Sequence, residues 1–231
     1  MNAEAYSGFP AEGLRFMREL AANNTKEWFA DRKEEYRAVV QEPSVSLVKA
    51  LGSRIRAEFP PVTFDTRTNG GSLMRIHRDV RFSSDKRPYK TNIAMMFAPA
   101  SARKMEAPGF GLQITLEEVQ LVGGQFRFLP EQLERYRAAV VTDRSGKPFQ
   151  DIVDAVRGAT GYRIGEADLK RVPRGYPAEH PRADLLRHKG FAVYTPPISL
   201  ATLTSPGFID EAIETLRVTA TVVRWLNDHI G

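Results

Sequence analysis

The chain of 231 residues contains no cysteine. This absence excludes disulfides, a thiolate nucleophile and thiolate metal ligands. No run approaches the roughly 20 apolar residues that a membrane helix needs, so the sequence predicts no membrane span. The first residues, Met1 to Ala5, have neither a basic start nor an apolar run, and they indicate no secretory signal. We therefore expect a cytoplasmic protein.

The sequence also lacks the motifs of several enzyme classes. Its four histidines show no metal-ligand spacing, and neither His-Glu-x-x-His nor Gly-x-Ser-x-Gly occurs. Gly70-Gly71-Ser72 and Gly123-Gly124 lack the Gly-Lys-Ser/Thr ending of a phosphate loop, so we interpret both as turns or bulges. We expect no metal and no cofactor, and the sequence does not decide whether the protein is an enzyme.

Hydrophobic residues at helical spacing predict helices in the first 60 residues. The first begins at Phe9-Pro10 and stops at Asn23-Asn24. A second has Asn24 as its N-cap, with Glu27 reaching back in a capping box, and ends at Pro43. A third ends at Pro60-Pro61, because proline interrupts a helix.

Between residues 62 and 128 the hydrophobic period changes from 3.6 to 2, which is typical of strands. The clearest strand runs from Phe110 to Leu116, and Val119 to Phe128 returns as a strand broken by Gly123-Gly124. Ile93 to Phe97, Val62 to Arg67 and the alternation from Met74 to Phe82 predict further strands. Short turns between successive strands imply an antiparallel meander.

Helices are predicted again in the last 100 residues. One begins at Leu129-Pro130, another surrounds Phe149 to Val156, and the last has Ser205 as N-cap and Pro206 at the first helical position. No repeat or linker divides residues 1–231. The predicted fold class is therefore α+β: a single domain with a largely antiparallel meander sheet, flanked by N-terminal and C-terminal helices.

Positive charge is concentrated in two stretches. Residues 75–92 hold six cations and two acids, and residues 170–189 hold the same numbers, so each stretch carries +4. Because the whole chain carries only +5, the remainder is net negative at −3. This distribution favours a local anion site over a generally basic surface.

The first of these stretches has an unusual polar pattern. If residues 75–82 form one strand, Arg78 lies among apolar side chains and needs an acid partner or a bulge, since an unpaired buried guanidinium is very costly. Asp79 and Asp85 are the nearest acids. Their many cationic neighbours should lower the pKa of both, so we interpret them as groups that orient arginines. Acid–base catalysis by the pair is the alternative interpretation.

Both stretches contain groups that bind phosphate or carboxylate through charge-assisted hydrogen bonds. The candidate ligand-binding residues of the first stretch are Arg75, Arg78, Asp79, Arg81, Asp85, Lys86 and Tyr89. Those of the second are Lys170, Arg171 and His180, which could converge with the first group on one ligand. The alternative for each stretch is a network of ion pairs. No catalytic residue is assigned.

The segment Arg75 to Tyr89 resembles the signature of a bacterial family of about this length that is known as a domain of unknown function. The signature is Arg-x-x-Arg-Asp-x-Arg-Phe followed by Asp-Lys and Tyr. Further similar motifs are Asn23-Asn24 with Trp28-Phe29, Gly123-Gly124, residues 169–173, Gly175-Tyr176 and His180-Pro181. The resemblance covers nearly the whole chain and implies one α+β domain. It implies no activity, but it favours a functional role for this segment.

Three functions remain open. The favoured one is binding, with or without turnover, of a phosphorylated small molecule or nucleotide at the Arg/Lys/Tyr-rich segment. The second is a structural or partner-binding domain whose Arg/Asp motif is an internal ion-pair network. The third is a nucleic-acid-binding module, which requires both basic stretches along one groove with exposed aromatic residues. The sequence predicts no membrane partner and does not determine the oligomeric state.

Overall fold

The fold is described from a computed structural model for residues 6–100 and 105–231. Seven strands form one sheet, in which every neighbouring pair is antiparallel. The strands are β1 (Val62–Thr63), β2 (Ile93–Pro99), β3 (Gly109–Ile114), β4 (Glu118–Gln125), β5 (Arg163–Ile164), β6 (Phe191–Tyr194) and β7 (Ile198–Ser199). Their order is β1-β2-β3-β4-β6-β5, and β7 pairs with the start of β4.

Helices precede and follow the meander β2-β3-β4. Before it lie α1 (Ala11–Ala22), α2 (Lys26–Asp31), α3 (Lys33–Tyr36) and α4 (Glu42–Glu58), with a π-helical turn at Arg37–Gln41. After it lie α5 (Pro130–Val141), α6 (Asp143–Gly158), α7 (Ala183–Leu186), α8 (Leu200–Leu203) and α9 (Phe208–Ile230). The predicted α+β class, with an antiparallel sheet between N-terminal and C-terminal helices, is confirmed.

The helices bury one face of the sheet. Ile93, Met95 and Phe97 alternate on this face of β2 and belong to one apolar cluster with buried residues of α1, α4 and α9. On β4 the same face carries Gly123, where an added Cβ would lie only 2.5 Å from the hydroxyl of Thr219 on α9. A glycine is needed there because α9 approaches so closely. The hydrogen-bond pairing of β4 with β3 continues through Gly123-Gly124, so the break that the sequence predicted is absent.

Several predicted boundaries are wrong at the helices. Thr25, and not Asn24, caps α2, because its hydroxyl accepts a hydrogen bond from the Trp28 N–H at 3.2 Å. Pro43 does not end a helix but lies in the first turn of α4, where its missing N–H has no cost. The last helix begins at Phe208, and the Ser205 hydroxyl donates backwards to the Thr202 carbonyl oxygen at 2.8 Å.

Two predicted strands are shorter than expected. The strand predicted from Val62 to Arg67 is limited to Val62–Thr63. The segment from Met74 to Phe82 forms no continuous strand, and only single bridges at Leu73 and His77 remain. None of the helices in the described ranges is both long and apolar enough to span a membrane.

Candidate functional site

Residues 76–90 fold back on themselves as a hairpin-like arm. The Lys90 N–H donates to the Ile76 carbonyl oxygen at 2.8 Å, and the Arg78 N–H donates to the Pro88 carbonyl oxygen at 2.9 Å. At its base the arm adjoins the sheet, because the Met74 N–H donates to the Ala94 carbonyl oxygen of β2. We call residues 76–90 the arm and residues 79–87 its tip.

Two aspartates shape the tip locally. The Asp79 carboxylate accepts a hydrogen bond from the backbone N–H of Arg81 at 3.3 Å, and the Asp85 carboxylate accepts one from the backbone N–H of Arg87 at 3.0 Å. A carboxylate that binds the N–H two residues later stabilises a turn. The chain turns just after Asp79, where the Ser83 N–H donates to the Val80 carbonyl oxygen at 3.3 Å, so the apolar alternation does not continue through Phe82 as a strand.

The same carboxylates pair with arginines. Arg81 lies 2.7 Å from Asp79, and Asp85 holds Arg78 at 2.7 Å and Arg87 at 2.8 Å. Arg81 lowers the pKa of Asp79, and Arg87 followed by Arg78 lowers the pKa of Asp85. Arg78 thus has an acid partner, although the unbroken strand on which that expectation depended is absent and Arg78 is only half-buried. Both acids pair with arginines, and the direction of both pKa shifts is the expected one.

Tyr89 anchors the base of the arm to the N-terminal helices. Its ring stacks on Phe29 with centroids 4.2 Å apart, and burial raises the pKa of its phenol. The side chain of Asn24 bridges its backbone: Nδ2 donates to the Tyr89 carbonyl oxygen at 3.0 Å, and Oδ1 accepts the Tyr89 N–H at 3.1 Å. Tyr89, a predicted ligand-binding residue, thus lies in the core.

The side chains of the two lysines in this stretch donate hydrogen bonds to backbone carbonyl oxygens. Lys86 donates to the Val80 carbonyl oxygen at 3.1 Å, and Lys90 donates to the Arg75 carbonyl oxygen at 2.9 Å. Partial burial and the charge of Arg75 lower the pKa of Lys90. Of the six cations in residues 75–92, all of which the structure describes, only Arg75 has a side chain without a hydrogen bond or ion pair.

Arg75 lines a cavity of about 300 Å³ between the helices and the start of the arm, which we call the Arg75 pocket. Lys33, Arg37 and His77 also line it, and Glu34 is its acid. Arg37 pairs with Glu42 at 3.2 Å and with Glu34 at 4.0 Å, whereas Lys33 makes no ion pair within the described residues. The pocket thus collects three cations and one acid.

The sequence interpretation missed Lys33, Arg37 and Gln41 as pocket residues. The sequence predicts a helix with one core face over residues 24–43 and indicates no role for the polar face of that helix. Arg37 and Gln41 belong to the π-helical turn, a rare element that occurs frequently at functional sites. The four-residue spacing of Lys33 and Arg37 was the available signal, but a π turn cannot be read from hydrophobic periodicity.

The second basic stretch has a different environment. Lys170 and Arg171 are exposed, and His180 Nδ1 accepts the Arg182 N–H at 3.0 Å. Arg182 is buried, donates to the Val140 and Val141 carbonyl oxygens at the end of α5, and pairs with Asp143. Arg182 therefore joins this stretch to the end of α5 and the start of α6.

The sheet separates the two basic stretches. The arm adjoins β2, whereas the chain entering the second stretch pairs with β6, where the Gly165 N–H donates to the Ala192 carbonyl oxygen at 2.9 Å. Three strand spacings of about 4.8 Å, or about 14 Å, lie between β2 and β6. The first stretch brings its own residues together, whereas the second stretch, with Lys170, Arg171 and His180, follows the chain that pairs with β6, towards the opposite edge of the sheet.

The described residues offer no evident metal centre. Within residues 6–100 and 105–231, no three His, Asp or Glu side chains are grouped so that they could hold a metal ion. The chemistry that the Arg75 pocket supports is recognition of an anion, because guanidinium and ammonium groups form strong hydrogen bonds with phosphate and carboxylate.

Comparison with known proteins adds a family but no activity. A family model described as "Conserved hypothetical protein (DUF2461)" matches residues 12–225. No curated protein is significantly similar to the chain. The ligand-binding roles assigned from the sequence, and the use of the Arg75 to Tyr89 segment as a family signature, therefore stay predictions.

Proposed function

The chain belongs to DUF2461, a family of conserved hypothetical proteins, and we propose that it binds a small molecule bearing a phosphate or carboxylate in the Arg75 pocket. The observation that supports this most is the meeting of Lys33 and Arg75, two cations without ion-pair partners among the described residues, in one cavity. An anionic group there supplies the missing partner.

The size of the pocket narrows the class of ligand. Its volume of about 300 Å³ is at the lower end of the usual range for small-molecule sites, about 300–1,000 Å³. This volume favours a small phosphorylated molecule over a nucleotide. Arg75 and Arg37 can each contact two oxygens of one anion, because a guanidinium presents parallel N–H groups.

The arm has a positioning role in this proposal. The Lys90 ammonium donates a hydrogen bond to the Arg75 carbonyl oxygen, and the Lys90 backbone N–H donates one to the carbonyl oxygen of the next residue, Ile76. The ion pairs of Arg78, Asp79, Arg81 and Asp85 keep the arm in one shape. Arg75 and His77 are then presented to the pocket at fixed positions.

A purely structural motif is the second candidate function. It is favoured by one observation: Arg78, Arg81 and Arg87 each already have a carboxylate partner within the tip. Nucleic-acid binding through one continuous groove is less favoured, because the two basic stretches adjoin strands towards opposite edges of the sheet.

Thermal and chemical unfolding with a panel of anions tests the proposal. The panel consists of inorganic phosphate, glucose 6-phosphate and AMP, added to wild type, Arg75→Ala and Arg224→Ala. Arg224 is the matched control, an exposed arginine on α9 without a hydrogen bond or ion pair in the described structure. A ligand at a hundred times its Kd should stabilise wild type and Arg224→Ala by about 2.7 kcal/mol.

The Arg75→Ala variant should lose this stabilisation while keeping its stability without ligand within about 0.5 kcal/mol, as is usual for an exposed side chain. Lys33→Ala should weaken the response in the same direction. A response that is unchanged in both variants, or no response to any anion, would contradict the proposal. In the second case, the structural function becomes the better one.

A further inference from the structure

The face of the sheet opposite the helices is mainly apolar, with Gln113 and Gln120 among its polar residues. Ala94 and Met96 of β2, Val122 of β4 and Tyr194 of β6 are only half-buried on this face. Next to them, Phe126 is 47% exposed and Met105 is 48% exposed. Contiguous exposed apolar surface often marks a binding site.

Two adjoining cavities follow this face, and Met96 lines both. The larger, of about 710 Å³, lies between β2 and residues 63–72. The smaller, of about 190 Å³, extends over β3 and β4 towards Tyr194 and Phe126. Gly111 leaves this part of the sheet surface free of a side chain, and an added Cβ would lie only 2.7 Å from Cγ1 of Val122. We call the two cavities together the outer-face groove.

The two ends of the outer-face groove differ in chemistry. At the larger cavity, the Arg56 guanidinium lies 5.4 Å from the centroid of the Phe64 ring and has no ion pair within the described residues. Arg67 is also there, held by Asp65 at 2.8 Å. At the smaller cavity, the walls are mainly apolar, with Met74, Val122 and Phe126 among them, and Gln113 and Gln120 are polar lining residues.

We infer that the outer-face groove binds a single-chain anionic amphiphile, that is, a fatty-acid-like molecule. Its carboxylate lies at Arg56, and its hydrocarbon chain crosses β2, β3 and β4 towards Tyr194. The choice of occupant rests on Arg56, which has no ion pair within the described residues, and on the mainly apolar walls of the smaller cavity. A second cation, Arg163, lies at the far end, where its guanidinium is 4.3 Å from the centroid of the Tyr194 ring. The distance from β2 to β6, about 14 Å, suits an extended chain of medium length.

The cations of this site differ from those of the Arg75 pocket, although Met74 borders both cavities. Residues 65–72 form the wall between the two: Thr68 and Asn69 line the Arg75 pocket, whereas Gly70 and Ser72 line the outer-face groove. Binding of an amphiphile can therefore be measured whether or not the Arg75 pocket binds an anion.

Calorimetric titration with hexanoate, octanoate, decanoate and uncharged decanol, each below its micelle concentration, tests the inference. Each buried methylene contributes about 0.8 kcal/mol, so affinity should rise by up to about fourfold per methylene. Val122→Gln and Phe126→Ser should each reduce this dependence on chain length. Phe126→Ser is included because a half-exposed side chain can change without loss of the fold.

The head group is tested separately. Arg56→Ala should weaken decanoate binding by about tenfold, the loss expected for one charge-assisted hydrogen bond, and leave decanol binding unchanged. Arg18→Ala is the control, since Arg18 is an exposed helical arginine without an ion pair in the described structure. It should bind every probe like wild type.

Two results would overturn the inference. One is an affinity that does not depend on chain length, or that survives both Val122→Gln and Phe126→Ser. The other is the absence of probe binding together with self-association of the protein. In that case the molecular mass of the wild-type protein in solution rises with protein concentration, and that of Phe126→Ser falls to the monomer value. That second result would assign the apolar face to a second copy of this chain.

Discussion

Asp85 has the densest set of partners in the arm. Its carboxylate accepts the Arg87 backbone N–H and pairs with the side chains of Arg78 and Arg87. From the sequence it was predictable that Arg78 has an acid partner, because an arginine among apolar residues needs one and Asp85 is near. The sequence does not indicate whether Asp79 or Asp85 is that partner, because this depends on where the chain turns.

Asp85→Asn should lower the free energy of unfolding at neutral pH, and its difference from wild type should shrink in acid. Arg87 and Arg78 lower the pKa of Asp85 in the folded protein. Such a carboxylate contributes stability fully above its unfolded-state pKa of about 3.9, and this contribution is lost as the pH falls through the folded-state pKa. Urea unfolding at pH 7 and in steps from pH 4 to pH 2 measures the difference.

Asp151→Asn is the control for this comparison, because Asp151 is exposed on α6 and forms no hydrogen bond or ion pair in the described structure. Its difference from wild type should be small at every pH. If Asp85→Asn and wild type differ by the same amount at pH 2 and at pH 7, the ion pairs of Asp85 do not stabilise the fold.

The arm shows why periodicity misjudged one element and judged others well. In β2, β3 and β4 the apolar alternation continues for a whole strand, and neighbouring strands complete the hydrogen bonds. In residues 74–82 the alternation is similar, but Asp79 binds its own backbone two residues on and the chain turns. Local side-chain hydrogen bonds compete with strand pairing, and hydrophobic periodicity does not record them.

Asn24→Ala should weaken the attachment of the arm to the N-terminal helices. The change removes both hydrogen bonds to the backbone of Tyr89, a buried residue, and leaves its partly buried N–H and carbonyl oxygen without these partners. A buried polar group left unsatisfied costs about 1–3 kcal/mol, so we expect a loss of stability of this size. Urea unfolding gives the loss, and amide exchange at Ile76 to Lys90 shows whether it is confined to the arm.

The neighbouring Asn23 provides the matched control. It is exposed, and its side chain donates only to the Glu19 carbonyl oxygen at the end of α1. Asn23→Ala should therefore cost less than about 0.5 kcal/mol, as is usual for a surface change. Equal losses for the two variants would show that the bridge to Tyr89 does not hold the arm.

At the scale of the molecule, the sheet order decides which charges can meet. The antiparallel pairing of β3 with β4 was predictable, since a short turn joins these two strands. The pairing of β4 with β6 was not, because helices α5 and α6 separate them along the chain. That pairing places residues 165–190 beyond β6, and the sequence alone allowed both basic stretches to converge on one ligand.

The double variant Lys170→Ala/Arg171→Ala should leave any response to anions unchanged. Both side chains are exposed, and their segment follows the chain that pairs with β6, three strands away from β2, which the arm adjoins. Beyond about 10 Å, charges in water are largely screened at ordinary salt. Thermal unfolding with the panel used for Arg75→Ala measures this. A lost response would mean that the second stretch takes part in binding.

The tip of the arm carries Phe82, whose side chain is 96% exposed. Because the backbone pairs at Arg78 and Lys90 close the arm below it, the chain leaves the tip almost where it entered. A protease that cuts after Phe82 would therefore sever the backbone without parting the molecule. One fragment would keep β1 and the N-terminal helices, the other would keep β2 and everything after it, and the shared core would hold the two together.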